Sequence, residues 1–363
     1  MAFINTNLRH VGTVGSGARC VLPGTTHGYV CGGWVGKTGA GHPWGPAVYG
    51  EMIEKFSLTS DGNATDVADI LTSRRGPRGC SSATHGYVMG GHDFGASPGT
   101  QPGTHVNSIE RFQFSNDSDS IDWADLNGTQ RTYGSACSSE THGFSAGGDD
   151  NIAPYTTDTI DKYPFASQTN ATDWANLTER LSGGSGCSSP TYGYTLGGTE
   201  QPGSVKVNKI QKFPFASQTD ATDIADITLV RGGGAGVSSC TDAYCVGGSQ
   251  NGTNPANNAP IWSSTVIDKF SFASEANATD HGDLIIESGA GNSSQAGVSG
   301  TTHGYVAGGT YFFNIHNHQY PREQIEKFAY ANNVTVSDVG DLVDARSTGI
   351  IHWGQDNPSG HQV

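Results

Sequence analysis

The chain has 363 residues, 52 of them glycine, and its 19 Lys and Arg against 34 Asp and Glu leave a formal charge of −15. No basic run is present to neutralise phosphates, which argues against nucleic acid as a partner, and the glycines have no three-residue period, which excludes collagen. No apolar run approaches the roughly 20 residues of a membrane-spanning helix, and MAFINTNLRHVGTVGSG lacks the basic-then-apolar order of a secretory signal. A soluble protein made in a cytoplasm is expected.

In chain order, a small-residue segment near Gly15–Leu22 precedes HGYVCGG at His27–Gly33, IEKF at Ile53–Phe56, NATDVADI at Asn63–Ile70 and RGPRGCSSAT at Arg75–Thr84. Such phrases alternate apolar and polar residues over a few positions and end in Gly or turn residues, which predicts short strands. They then recur. IEKF returns at Ile109, Ile160, Ile210, Ile267 and Ile325, and HGYVCGG at His85, His142, Thr191, Asp242 and His303. NATDVADI is echoed by DSIDWADL, NATDWANL, DATDIADI, NATDHGDL and TVSDVGDL, and the Cys-Ser phrase by GSACSSET, LSGGSGCSSPT and RGGGAGVSSCT. No segment sustains a helical i, i+3, i+4 pattern. Four strands repeated six times, with a period near 54, predict an all-β fold: a six-bladed β-propeller with four antiparallel strands per blade.

The double glycine, the following IxxF strand, the W-x-x-L of Trp123–Leu126 and Trp174–Leu177, and the glycine-rich RGGGAG strand resemble kelch repeats in that order. The resemblance implies a kelch-like blade whose innermost strand a is the glycine-rich phrase, with HGYVxGG as strand b, IEKFSF as strand c and ATDWADL as the outermost strand d. Blades then fall near 9–71, 72–127, 128–178, 179–228, 229–285 and 286–342, with 343–363 as closing strand and tail, all in a single domain. Small residues in strand a suit a crowded centre, and closure removes most sheet edges. Strand-a-like segments outnumber the other phrases by one, near Gly15–Leu22 and near Ser347–Trp353 at the ends. Strand exchange between the termini is therefore expected to latch the ring, with either end as donor.

Alternating strand direction places the b–c loops, 34–52, 92–108, 149–159, 199–209, 249–266 and 310–324, on one face with the d–a connections. Variable loops on a rigid scaffold are where binding concentrates. The candidates are the aromatic and imidazole residues Trp34, His42, Trp44, Tyr49, Trp262, Tyr311, Phe312, Phe313 and Tyr320. Aromatics among Asn, Gly and Thr fit carbohydrate or protein contacts. His316 and His318 fall on one side of an extended segment, as a metal site would require. The recurrent His27, His85, His142 and His303 read as packing or turn residues, and Asp66, Asp122, Asp173, Asp223, Asp280 and Asp338 as turn-forming Asx residues. Cys80, Cys137 and Cys187 recur at one position and read as small buried hydrophobes. None of GxSxG, HExxH or GxxxxGK[ST] occurs, so no enzyme and no cofactor is expected.

The fuller string IEKFSFAS…NATDVGDL…RGGGAGxSSxTHGYVxGG looks like kelch-like repeats of marine tailed bacteriophages, notably those of cyanobacteria, over residues 20–345 or so. That resemblance implies a structural or adhesive virion protein in multiple copies, decorating the particle or its tail. Its partners would be other virion proteins and a host-surface glycan or protein, without membrane insertion. A purely architectural virion protein, or a glycan-cleaving enzyme with its site at the propeller axis, are the rival readings.

Overall fold

The computed structural model describes residues 24–35, 48–93, 104–128, 130–150, 155–250, 263–285, 292–293, 295–313, 318–332, 336–347 and 359–362. Every regular element among them is a β-strand, and none is a helix long and apolar enough to cross a membrane. In the first unit His27–Cys31 pairs with Met52–Ser57, which pairs with Thr65–Asp69. The second orders Arg78–Ser81, His85–Met89, Ser108–Gln113 and Ile121–Asp125 as strands a to d, and the third Ser135–Ser138, His142–Ala146, Thr159–Pro164 and Thr172–Asn176. The fourth has Ser185–Ser188, Tyr192–Glu200, Val205–Pro214 and Thr222–Asp226, and the fifth Ala235–Ser238, Asp242–Val246, Val266–Ser271 and Thr279–Asp283. The sixth has Ala296–Ser299, His303–Ala307, His318–Ala329 and Ser337–Ser347. All these pairings are antiparallel.

Strand b is buried on both faces, and strand c shows why. Along a strand, alternate side chains point to opposite faces. Ile53 packs with Val88 and Phe112 of the following unit, and Lys55 reaches Asp117 there at 2.9 Å. Glu54 and Phe56 point the other way, toward the backbone of Asp344 and the side chains of Val298 and Tyr305. A phrase of the form I-E-K-F therefore addresses two neighbours at once. Opposite its first step, strand d carries one extra residue in every unit: Val67, Trp123, Trp174, Ile224, His281 and Val339. The W of W-x-x-L is thus a bulge residue, which accounts for its regular place in the repeat.

The apolar core among the described residues divides into clusters at the seams between successive units, and a further cluster joins the sixth to the first through Val30, Phe56, Val298, Tyr305 and Ile325. Burying a side chain such as Phe213 or Phe328 contributes roughly 1.5–3 kcal/mol.

Inner strands approach so closely that side chains are excluded. A Cβ on Gly186 would overlap the carbonyl of Ala136, one on Gly236 that of Gly186, and one on Gly297 that of Gly236. Beside them runs a serine relay: the amides of Ser81, Ser138, Ser188 and Ser238 donate to the hydroxyls of Ser138, Ser188, Ser238 and Ser299 at 2.9–3.3 Å. This is the role of the Ser in the recurrent Cys-Ser and Val-Ser phrases.

The innermost strand of the first sheet is Ser359–Gln362, with Gly28 opposite Gln362 and Tyr29 opposite His361. The C-terminus therefore supplies the fourth strand of the N-terminal sheet. It does so with a segment beyond the expected Ser347–Trp353, because Ser347 ends strand d of the sixth unit and pairs with Trp34. Residues 15–22 and 348–353 lie outside the described residues.

Candidate functional site

The b–c loops and the d–a connections do meet on one side. After each double glycine the chain runs on and pairs with the incoming connection: His92–Asp93 with Arg74–Arg75, Thr199–Glu200 with Leu181–Ser182, and Ser249–Gln250 with Arg231–Gly232. Trp34–Val35 pairs likewise with Arg346–Ser347, and Thr310–Tyr311 with Asn292–Ser293. Among the predicted binding residues, Trp34 stands opposite Tyr49, and Tyr311 opposite Tyr320, with Phe312 and Phe313 opposite Gln319 and His318. Backbone register thus sets two pairs of aromatic positions opposite each other, each within one loop. His42, Trp44, Trp262 and His316 lie outside the described residues. No group of three potential metal ligands occurs among the described residues.

In-phase polar residues are engaged in joining units. The second residue of each strand-c phrase is buried and accepts from an amide of the preceding unit. Glu110 takes Leu71, Asp161 takes Asn127, Gln211 takes Thr178, Asp268 takes Thr228 and Glu326 takes Ile285, at 2.8–3.1 Å. Three of these acids also pair with a buried arginine from the d–a connection: Arg74 with Glu110, Arg131 with Asp161 at 3.2 Å, and Arg231 with Asp268 at 2.6 Å. In the sixth unit Arg322 takes that place from strand c itself, 3.3 Å from Glu326. Burial pushes the Asp161 carboxyl up to about 6 despite Arg131, and raises those of Asp268 and Glu326. Sequence reading missed this set because it treated IEKF as a strand signature only, although the alternation of acid and Gln across copies was visible.

The recurrent histidines open strand b, directly after its turn. His85, His142 and His303 each place Nδ1 2.8 Å from the hydroxyl of the preceding Thr. Cys80, Cys137 and Cys187 are buried thiols outside any disulfide, whereas Cys240 is disulfide-bonded. Burial pushes Cys80 up to about 11 and Cys137 up to about 12, so neither is a thiolate at neutral pH. The recurrent aspartates require correction. Asp66, Asp122, Asp173, Asp223, Asp280 and Asp338 are all members of strand d rather than of turns, although Asp223, Asp280 and Asp338 do accept from the amide two residues on. Three residues earlier stands a side chain that joins units. Asn63, Asp119, Asn170, Asp220 and Asn277 accept the amides of Asp341, Asp69, Asp125, Asn176 and Asp226 on the neighbouring strand d.

Out-of-phase chemistry gathers at the seam between the second and third units. Arg75, His92 and His105 stand directly opposite one another across three short strands and so share one face. The two imidazole rings meet edge-on, with centroids 5.0 Å apart. Burial, with Arg75 and His105 adding, pulls His92 down to about 3, and burial lowers His105 too, so both are neutral at pH 7.

Across the seam Tyr133 adopts φ 59°, where the equivalent positions are Gly76, Gly183 and Gly233 at φ 62°, 65° and 71°. A left-handed non-glycine residue costs on the order of 1–2 kcal/mol. Beside it, Arg78 begins strand a at a position where other units carry Ser135, Ser185, Ala235 and Ala296. Its Nε donates to the carbonyl of Gly134, its buried Nη2 forms no hydrogen bond, and Asp149 lies near enough to act on its charge. Asp149 completes the seam, accepting from the Thr156 hydroxyl at 3.2 Å, and burial pushes its carboxyl up to about 6.

No protein-family model matches the chain, and no curated protein matches it.

Proposed function

We propose that the six units are the blades of a closed, kelch-like β-propeller that serves as a non-enzymatic binding protein on a tailed-phage virion. Its b–c face meets a host surface or a neighbouring virion protein. Closure is supported by the seam between the sixth and first units, which repeats the contacts of the other seams: Ala64 donates to the Asp341 carbonyl at 2.7 Å, as Ser120, Ala171, Ala221 and Ala278 donate to their neighbours. The virion assignment rests on the wording of the repeat.

One observation carries the binding role. Repeated polar residues are engaged between units, whereas the departures from the repeat gather on the face that holds the b–c loops. Inner strands too close to accept a Cβ favour that face over a catalytic site at the axis. The test is to locate and count the protein in intact particles and then to delete loops 34–52 and 310–324 separately. Lost adsorption by intact particles supports attachment. Lost incorporation supports the purely architectural alternative, and turnover of host polysaccharide by the purified protein would overturn the non-enzymatic reading.

A further inference from the structure

Three segments of this chain fall where an inner strand for the first unit could come from. In the other units that strand ends five positions before Gly86, Gly143, Gly193, Ala243 and Gly304, its partners on strand b. Counted back from Gly28, the same spacing selects Cys20–Pro23. Where a d–a connection pairs with the extension of strand b, the inner strand begins three positions after Arg75, Ser182, Gly232 and Ser293. Counted on from Ser347, which pairs with Trp34 in the same way, that spacing selects Ile350–Trp353. Neither segment is used: the partner of His27–Cys31 is Ser359–Gln362, nine positions beyond the second of them. The turn into the first strand b differs accordingly. Amides of Ser82, Ser139, Ser189, Ser239 and Gly300 close that turn onto His85, His142, Tyr192, Asp242 and His303, whereas the Gly24 amide donates to the Ser299 carbonyl of the sixth unit at 2.7 Å.

Register shows what distinguishes the segment that is used. Gly360 stands opposite Val30, a place held in the other units by Gly79, Ala136, Gly186, Gly236 and Gly297. A Cβ at 186, 236 or 297 would overlap a carbonyl of the adjoining inner strand. Gln362 stands opposite Gly28, the place of the relay serines, whose backbone amides at 81, 138, 188 and 238 donate to the next strand. Cys20–Pro23 would bring Val21 to the first place and Pro23, which has no N–H to donate, to the second. Ile350–Trp353 would bring Ile351 and Trp353 there. A β-branched side chain has little freedom to turn away from a backbone carbonyl. We propose that the inner slot of the first unit is a strand-binding site whose occupant is selected by glycine. Its ligand is an extended segment with Gly at the second position and a residue other than Pro at the fourth. The chain's own C-terminus supplies that ligand, and Val21 and Ile351 exclude the two nearer segments. Main-chain pairing gives the affinity and the glycine position the specificity, as in strand addition to a sheet edge. The proposal rests on the pairing of Ser359–Gln362 with His27–Cys31 and is independent of the virion role.

Full-length variants would be compared by hydrogen-exchange mass spectrometry and thermal melting. Gly360→Val should lose the amide protection that the wild type has at 359–362 and should melt at a lower temperature. Adding Ile351→Gly and Trp353→Ser to that variant supplies a glycine-bearing segment at the usual spacing. The triple variant should recover most of the lost melting temperature, with protection now found at 350–353. Unchanged protection and melting in Gly360→Val overturns the proposal, and so does a triple variant that melts no higher than Gly360→Val. Should Gly360→Val not fold, Ile351→Gly with Trp353→Ser in the otherwise wild-type chain decides the matter. Closing the shorter connection costs less entropy, so the nearer segment should displace Ser359–Gln362 and protection at 359–362 should fall. Undiminished protection there would overturn selection by glycine.

Discussion

Tyr163 shows what a single atom does in this fold. It occupies the strand-c position held elsewhere by Phe56, Phe112, Phe213, Phe270 and Phe328, and its buried hydroxyl lies 3.0 Å from the Cys80 thiol. Because a thiol is a weak partner, Tyr163→Phe should change stability by less than about 1 kcal/mol in a denaturant titration. Gly186→Ala is expected to behave oppositely, since its Cβ would meet the backbone carbonyl of Ala136, which cannot rotate away. Loss of several kcal/mol, or failure to fold, is the expected outcome in the same titration. His92 gives a pH signature. Held down to about 3 by burial, it stays neutral in the folded chain while the unfolded chain protonates it near 6.5. Its contribution is complete above pH 6.5 and is lost as pH falls toward 3. Asp149 and Asp161, both raised to about 6, act in the opposite sense below pH 6, so the informative quantity is the difference between wild type and His92→Asn. The variant should lose less stability between pH 6.5 and 4; equal losses would refute the assignment.

At the scale of the element, the pairing of connection and strand c contains its own internal control. Three units use an arginine with an acid, but the fourth places buried Leu181 where the others have arginine and Gln211 where they have the acid. Gln211 still accepts the Thr178 amide at 2.8 Å, so the bond between units persists without charge. Removing one member of a buried ion pair strands the other, whereas replacing both can be nearly neutral. Asp268→Ala is therefore expected to cost about 3–5 kcal/mol, and the double change Arg231→Leu with Asp268→Gln to recover most of it in a double-mutant cycle. The strands themselves were legible in the sequence because each phrase keeps a period of two and ends in turn residues. What the phrases do between units was not, because Glu54 and Phe56 answer to one neighbour and Ile53 and Lys55 to another, a distinction that exists only once sheets are stacked. The cluster of Arg75, His92 and His105 was illegible for the converse reason: it occurs once, and only long-range pairing brings 75, 92 and 105 into line.

At the scale of the whole molecule, the C-terminal strand decides whether the first unit is complete. SGHQ at Ser359–Gln362 has no apolar alternation to announce a strand, and sequence reading placed the closing segment earlier. Its position follows from pairing: Val30 and Cys31, both fully buried, stand opposite Gly360 and Ser359. The strand also lies between the inner strands Ala296–Ser299 and Arg78–Ser81, so it joins the last unit to the second as well as completing the first. A chain ending at residue 358 would leave the His27–Cys31 strand with an unpaired inner edge beside an apolar seam, the arrangement most prone to edge-to-edge association. Such a truncation should therefore melt well below the full chain and elute in size-exclusion chromatography as dimers or larger species. Adding a synthetic peptide that spans 355–363 should restore part of the lost melting temperature, because the missing contacts are local to one strand slot. A truncated chain that stays monomeric with an unchanged melting temperature would mean that the seam between the sixth and first units, with its Asp341–Ala64 and Asp344–Glu54 bonds, holds without the strand.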